Sequence, residues 1–242
     1  MEAVRTALEA GTLYDYAARH QASRSFSGRG IAYAAPLPNG EPVVVRHNRH
    51  GGLLASLTGD RFVAPTRAPY ELEVALRLEA AAVPTPTILA YAIYPAGLLF
   101  RRSDVASREI PASSDLAAVL TTGSSTERRA ALESAATLIG LLSASGGRHH
   151  DLNLKNILVA AESDRRDAPV AYVLDVDRVE FGRPGDSRVT ERNLDRFMRS
   201  ARKWRELQGA RIEEAELVRV AASVRRFVSS RPSSGARAIT RS

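Results

Sequence analysis

The sequence predicts an α+β chain in two parts, a small antiparallel-sheet region with one helix followed by a mostly helical region. Three observations carry this. Extended, turn-bounded segments crowd into the first hundred residues. Stretches at helical spacing, largely free of proline and glycine, fill most of the second half. Between the later helices, residues 157–159 and 171–174 read as two short apolar strands. At 242 residues and 44% hydrophobic, the chain is long enough to bury a full core, as one large domain or two modest lobes.

Residues 2–10 read as a short amphipathic helix or arm. Ser27-Gly28-Arg29-Gly30 is a glycine turn entering the strand Ile31-Ala32-Tyr33. Pro38-Asn39-Gly40 reads as a hairpin turn before the β-branched run Val43-Val44-Val45-Arg46. Residues 70–82 hold no proline or glycine and set Leu72, Ala75, Leu76 and Leu78 at helical spacing. Val83-Pro84-Thr85-Pro86 ends that helix, and residues 88–101 supply two extended segments around Pro95-Ala96-Gly97. Residues 114–120 and 127–143 are helical, joined by the loop 121–125. A polar loop, 162–169, separates the later strand pair, and residues 190–208 and 212–228 are helices with basic faces. The Ser-, Pro- and Arg-rich residues 229–242 predict a disordered tail. The expected division is therefore a sheet lobe over residues 1–104, a helical lobe over 105–228 and the tail over 229–242.

The chain has no cysteine, which excludes a disulfide framework, a thiolate nucleophile and a Cys-based zinc site. The uncharged stretch around residues 80–99 is interrupted by Pro84, Pro86 and Pro95 and makes a poor transmembrane segment. Met1-Glu2-Ala3-Val4-Arg5, with an acidic residue and no apolar run after it, does not read as the start of a secretory signal. These features predict a cytoplasmic protein able to visit a membrane surface. Charge is uneven: residues 178–242 carry 16 basic and 8 acidic side chains, whereas residues 1–177 carry 18 and 19. Nearly all the basic residues are arginines, suited to bidentate phosphate and carboxylate contacts, so this region reads either as a solvated basic face or as an anion-binding face. Nucleic-acid binding is disfavoured, because few aromatics interleave with the arginines beyond Phe181, Phe197, Trp204 and Phe227.

The strongest chemical signal is His149-x-Asp151-x4-Asn156, followed by a strand pair and then Asp175. Phosphoryl transfer needs a carboxylate to take the acceptor hydroxyl's proton and oxygen ligands to hold Mg2+ against nucleotide phosphates. Asp-x4-Asn puts a base and an amide oxygen on one short loop, and an aspartate ending the next hairpin can converge on the same metal. A polar turn and a strand cap would also account for these residues one at a time. The order and the intervening hairpin favour the chemical reading.

This loop resembles the H-R-D-x4-N catalytic loop of protein-kinase-like folds, with Asp175-Val176-Asp177 in place of their D-F-G. The resemblance implies a two-lobed protein-kinase-like fold with ATP between the lobes. Gly28 and Gly30 take the place of the phosphate-covering turn. Arg46 stands where kinases place the lysine that grips the α- and β-phosphates, and Glu71 is its candidate ion-pair partner; Glu73 reads as a solvated glutamate. Asn153 occupies the position of a phosphate-contacting lysine, so that contact would come from Lys155 or a nearby arginine; Lys155 reads equally as a solvated loop lysine.

The match narrows further. His149-x-Asp151-Leu152-Asn153-x2-Asn156-Ile157-Leu158 is similar to the signature of 3-deoxy-D-manno-octulosonic acid (Kdo) kinases in the lipopolysaccharide kinase family. Gly28-Arg29-Gly30, Val45-Arg46-His47 through Gly51-Gly52, Leu174-Asp175-Val176-Asp177-Arg178 and Asn193-Leu194-x-Arg196-x2-Arg199-Ser200 agree with it, covering residues 28–203. The related heptose kinases usually carry His at the position of Asn156. Asn48 and His50 depart from the family's R-H-Y-R-R-G-G segment, and Val176 replaces the phenylalanine of D-F-D-R.

The resemblance implies a magnesium-dependent kinase that moves the γ-phosphate of ATP to the 4-hydroxyl of a Kdo sugar on a lipid A precursor, at the cytoplasmic face of the inner membrane. Asp151 would be the base, Asn156 and Asp175 the Mg2+ ligands, and Gly28, Gly30, Arg46, Glu71 and Lys155 the nucleotide contacts. The basic C-terminal helices would meet an anionic membrane surface, with no nucleic acid and no protein partner expected. His149 reads as a structural histidine bonded to the strand that ends in Asp175. Asp177 reads equally as a second metal ligand or as the partner of Arg178. Arg196, Arg199 and Arg202 form a stripe that either docks an anionic lipid or is solvated. The rival functions are a kinase for another small-molecule or sugar hydroxyl, heptose or aminoglycoside-like, and a pseudokinase that binds nucleotide or anionic lipid without transfer.

Overall fold

The computed structural model describes residues 2–9, 11–27, 30–47, 62–63, 66–97, 99–161 and 168–231. Gly28, residues 48–61, most of the 162–169 loop and residues 232–242 lie outside these. The chain divides into two compact units, Met1–Ala75 with Pro86–Ile110, and Leu76–Thr85 with Pro111–Ser242.

The first unit is built on one antiparallel sheet. Its strands are β1 (Arg24–Ser27), β2 (Ile31–Pro36), β3 (Pro42–His47), β4 (Phe62–Val63), β5 (Ile88–Pro95) and β6 (Phe100–Arg108). They run in the order β1-β2-β3-β6-β4, with β5 also paired to β6. The turn at residues 38–40 gives the expected hairpin, with Tyr33 opposite Val45 and Ala32 opposite Arg46. Alternation along β3 buries Val43 and Val45. Two helices pack on this sheet, α1 (Glu2–Glu9), over the expected N-terminal segment, and α2 (Leu13–Arg19), which the sequence reading did not include. Ala7, Leu13 and Ala17 meet Ala35, Leu37, Val43, Val45 and Ala106 in one apolar cluster. A capping box of Thr12 and Asp15 starts α2.

The expected helix is α3 (Ala68–Ala80). Its buried stripe is Ala68, Glu71, Val74, Ala75 and Leu78, whereas Leu76 is exposed. The spacing of large apolar residues therefore misplaces the inward face: burial follows the row that includes Glu71, and a carboxylate with a cationic partner can occupy a buried row.

The second unit is mostly helical: α4 (Leu116–Thr122), α5 (Ser125–Ala144), α6 (Ser187–Gln208) and α7 (Glu214–Ser230). Ser124 and Glu127 form a capping box at the start of α5, and Asp115 and Asp186 cap α4 and α6. α5 buries Leu132, Leu138, Ile139 and Leu142, and Phe227 of α7 lies against Gly140, where a Cβ would come within 2.7 Å of the ring. Short strands decorate the helices: β7 (Ser113–Asp115), β8 (Gly147–His149), β9 (Ile157–Ala160), β10 (Val170–Val173) and β11 (Val179–Phe181). β10-β9-β7 form one small sheet and β11-β8 another. Gly146, at φ +81°, turns the chain from α5 into β8, and a Cβ there would meet Gly182 O at 2.6 Å. Among the described residues, no helix is long and apolar enough to cross a membrane.

Candidate active site

β8 delivers His149, and the chain then crosses a polar loop to a 3-10 turn, Leu154–Asn156, before β9. Polar bonds cross-brace this loop. The ring of His149, 1% exposed, lies with Nε2 2.9 Å from Leu174 O, while Nδ1 is 3.0 Å from the Asp151 amide. An amide can only donate, so Nδ1 accepts and the proton sits on Nε2, facing the carbonyl. Burial lowers the His149 pKa below its ordinary 6.5, more than its bond to Leu174 and the nearby aspartates raise it. The histidine is thus neutral and structural, tied to the residue before Asp175.

Asn153 caps the 3-10 turn, its Oδ1 accepting from the amides of Lys155 and Asn156. This use explains an asparagine where protein kinases carry a lysine. Asn156 Nδ2 donates to Asp151 O at 2.8 Å, and Asn156 O accepts from Leu174 N–H at 2.9 Å. One residue therefore ties the Asp151 loop to the strand end that carries Asp175. Asp175 adopts the left-handed conformation, φ 53° and ψ 47°, and its side chain caps nothing. Aspartate tolerates this conformation better than most residues, and such strain concentrates where a carboxylate must be aimed. The next aspartate, Asp177, lies 3.8 Å from Arg178 Nε. Asp151 and Asn156 are therefore joined directly, and both are tied to Leu174, the residue before Asp175.

The donor set suits Mg2+. With Nδ2 of Asn156 spent on Asp151 O, the side chain presents its Oδ1, and a carboxylate follows at Asp175; both are hard oxygen donors.

In the other unit, Arg46 near the end of β3 pairs through Nη2 with Glu71 Oε1 of α3. Glu71 is 3% exposed, so the pair is held where water screens it little. Glu73 is exposed, as expected. Gly30 directly precedes β2, and Gly28 lies outside the described residues. His47 finds a partner that the sequence did not disclose: its Nδ1 is 2.5 Å from Oδ1 of the fully buried Asp104. The Tyr14 ring stacks on His47 at 3.6 Å, and the Tyr14 amide donates to Asp104 Oδ2. Asp104 thereby anchors α2 beside the strand that carries Arg46. Only the β3–β6 register, which sets His47 opposite Asp104, reveals this.

Lys155 is occupied elsewhere, its Nζ 3.1 Å from Asp115 Oδ2 and over the Trp204 ring. The basic stripe on α6 divides. Arg202 is forked onto Glu214, and Arg199 Nε donates to Asp195 O. Arg196 instead reaches Asp151, its Nη2 3.2 Å from Oδ1. Buried Asn193 accepts from His149 N–H through Oδ1 and donates from Nδ2 to Ser143 Oγ and Gly147 O. Periodicity shows such residues on one helix but not what they touch.

A family model described as the lipopolysaccharide kinase (Kdo/WaaP) family matches residues 16–227. A 3-deoxy-D-manno-octulosonic acid kinase of Vibrio vulnificus (strain CMCP6) is 30% identical over 193 residues, covering 78% of this chain and 76% of the relative. A protein of the same name from Xylella fastidiosa (strain 9a5c) is 31% identical over 185 residues, covering 75% and 70%. Among solved structures, "WaaP in complex with acyl carrier protein" superposes with a TM-score of 0.58 at 17% identity, covering 95% of this chain and 86% of that one. That likeness makes the α+β architecture a kinase-like fold. Together with the match over most of its length, it follows that the chain belongs to the lipopolysaccharide kinase (Kdo/WaaP) family.

Proposed function

We propose that this lipopolysaccharide kinase transfers the γ-phosphate of ATP to the 4-hydroxyl of a Kdo sugar on a lipid A precursor. The observation that carries the proposal is the braced loop in which Asn156 links Asp151 to the strand end before Asp175. Such bracing suits a base that must meet a hydroxyl at hydrogen-bond distance. Its similarity to proteins named as Kdo kinases supports this acceptor over a neutral sugar.

In this reading Asp151 orients the acceptor hydroxyl and takes its proton as the phosphoryl group is transferred. Asn156 Oδ1 and the Asp175 carboxylate would hold Mg2+, which when bound offsets charge on the nucleotide phosphates. Arg46, steadied by Glu71, grips the α- and β-phosphates as a guanidinium in place of an ammonium. Gly28 and Gly30 would cover the phosphates. The acceptor's lipid places the reaction at the cytoplasmic face of the inner membrane, where arginines of α6 and α7 would face anionic headgroups.

The test is phosphate transfer from MgATP to a Kdo-bearing lipid A precursor, followed by mass spectrometry of the lipid. One added phosphate, lost in Asp151→Ala and in the presence of chelator, is the expected result. Normal transfer by a folded Asp151→Ala protein removes the mechanism, and transfer only to other sugars removes the acceptor.

A further inference from the structure

α6 lays three side chains along the catalytic loop. Asn193 is fully buried and holds β8 through three bonds. One turn on, Arg196 Nη2 lies 3.2 Å from Asp151 Oδ1. A further turn on, Ser200 Oγ accepts from the Leu154 amide at 3.1 Å. Arg196 therefore stands on a helix pinned to the same loop on both sides of it, which fixes where its guanidinium arrives.

The Arg196 side chain is 43% exposed and that of Asp151 18%, so both can be reached from solvent. One guanidinium nitrogen is spent on Asp151. Among the described residues, Nε and Nη1 of Arg196 make no hydrogen bond. Its stripe neighbours differ, since Arg202 is forked onto Glu214 and Arg199 is bonded within its own helix. An arginine touching the base does not make it a stronger base, because it favours the ionised carboxylate. What it adds is a planar fork with donors to spare, beside the place where the acceptor hydroxyl must sit.

The acceptor read above is an acidic sugar, ionised at neutral pH, whose carboxylate lies a short carbon span from the hydroxyl to be phosphorylated. We propose that Arg196 binds this sugar carboxylate while holding Asp151, and so selects an acidic sugar over a neutral one. The inference rests on the Kdo reading of the acceptor.

The experiment compares wild type, Arg196→Gln and Arg196→Lys on two acceptors, a Kdo-bearing lipid A precursor and its Kdo methyl ester. Wild type should lose about 10- to 100-fold in kcat/KM on the ester, as expected for a lost charge-assisted pair. Arg196→Gln should lose a similar factor on the free acid, mainly in acceptor KM, and less than about threefold more on the ester. Arg196→Lys should recover part of the loss on the acid. The KM for ATP and the thermal midpoint should stay unchanged. Equal losses for Arg196→Gln on acid and ester, or a raised KM for ATP, would overturn the assignment in favour of aligning the base or contacting phosphate. A folded wild-type protein that phosphorylates neither acceptor would overturn the Kdo reading itself, an outcome distinct from the others.

Discussion

Around Asp151, main chain and buried side chains hold one another: His149 links the Asp151 amide to Leu174, Asn156 links Asp151 to the same strand end, and Asn193 holds His149 from α6. Around Arg46 the described contacts centre on an ion pair. Asp104 anchors His47 and α2, but the guanidinium itself is steadied by the carboxylate of Glu71. The contrast fits what each group would do in the proposed transfer. A proton acceptor works only at hydrogen-bond distance and angle, whereas a cation's attraction for phosphate falls off slowly with separation. The first needs a frame; the second tolerates a side chain with some freedom.

The largest effect that tests this contrast is chemical. Asp151→Asn keeps the shape of the loop but removes the base, and transfer should fall by about a thousandfold while the unfolding midpoint stays put. A parallel fall in stability would mean that Asp151 belongs to the frame. Asn193→Ala attacks the frame. It strands the His149 amide, Ser143 Oγ and Gly147 O in a buried site, and urea denaturation should show a loss of about 2–4 kcal/mol. Glu71→Gln probes the ion-paired side: kcat/KM for ATP should drop about tenfold while the acceptor KM holds. A large loss of stability there would erase the contrast.

The smallest effect is a pH slope. Burial lowers the His149 pKa below 6.5, so the unfolded chain binds a proton at higher pH than the folded chain does. The stability that depends on the neutral ring is complete above about pH 6.5 and is lost as pH falls toward the folded-state value, by up to about 1.4 kcal/mol per pH unit. His149→Gln should flatten the fall in stability that sets in below about pH 6.5. Below about pH 4.5 the Glu191–Arg225 pair adds to the slope, because Arg225 holds the Glu191 carboxyl below its ordinary 4.5 and that stabilisation is lost as the carboxylate takes up a proton. An unchanged slope in His149→Gln would assign the proton uptake to another group.

Much of the site was legible in advance because its signals are local. Asp-x4-Asn lies on one loop, the strands at 157–160 and 170–173 pair as neighbours, and Glu71 follows Arg46 by one helix. Strand and helix periodicity located most elements within a few residues. The misses share a cause. α2 is seven residues long and held by contacts to the sheet, with Leu13 N–H on Tyr94 and Tyr14 N–H on Asp104. β8 and β11 are three residues each and are strands only through their pairing with one another. Leu76 is apolar but exposed, because the buried row on α3 is chosen by Glu71 and its partner.

What the amino-acid sequence determined by itself was therefore the inventory and the local order: most of the strands, the long helices, and two carboxylates and an amide at spacings one hairpin can bring together. The tertiary structure alone decided which of several arginines reaches Asp151, that Lys155 turns to Asp115, and that His47 is held by a buried aspartate. Those partners are 45, 40 and 57 residues apart. Local periodicity puts a side chain on a face of its own element, but the registers of distant elements determine what that face meets.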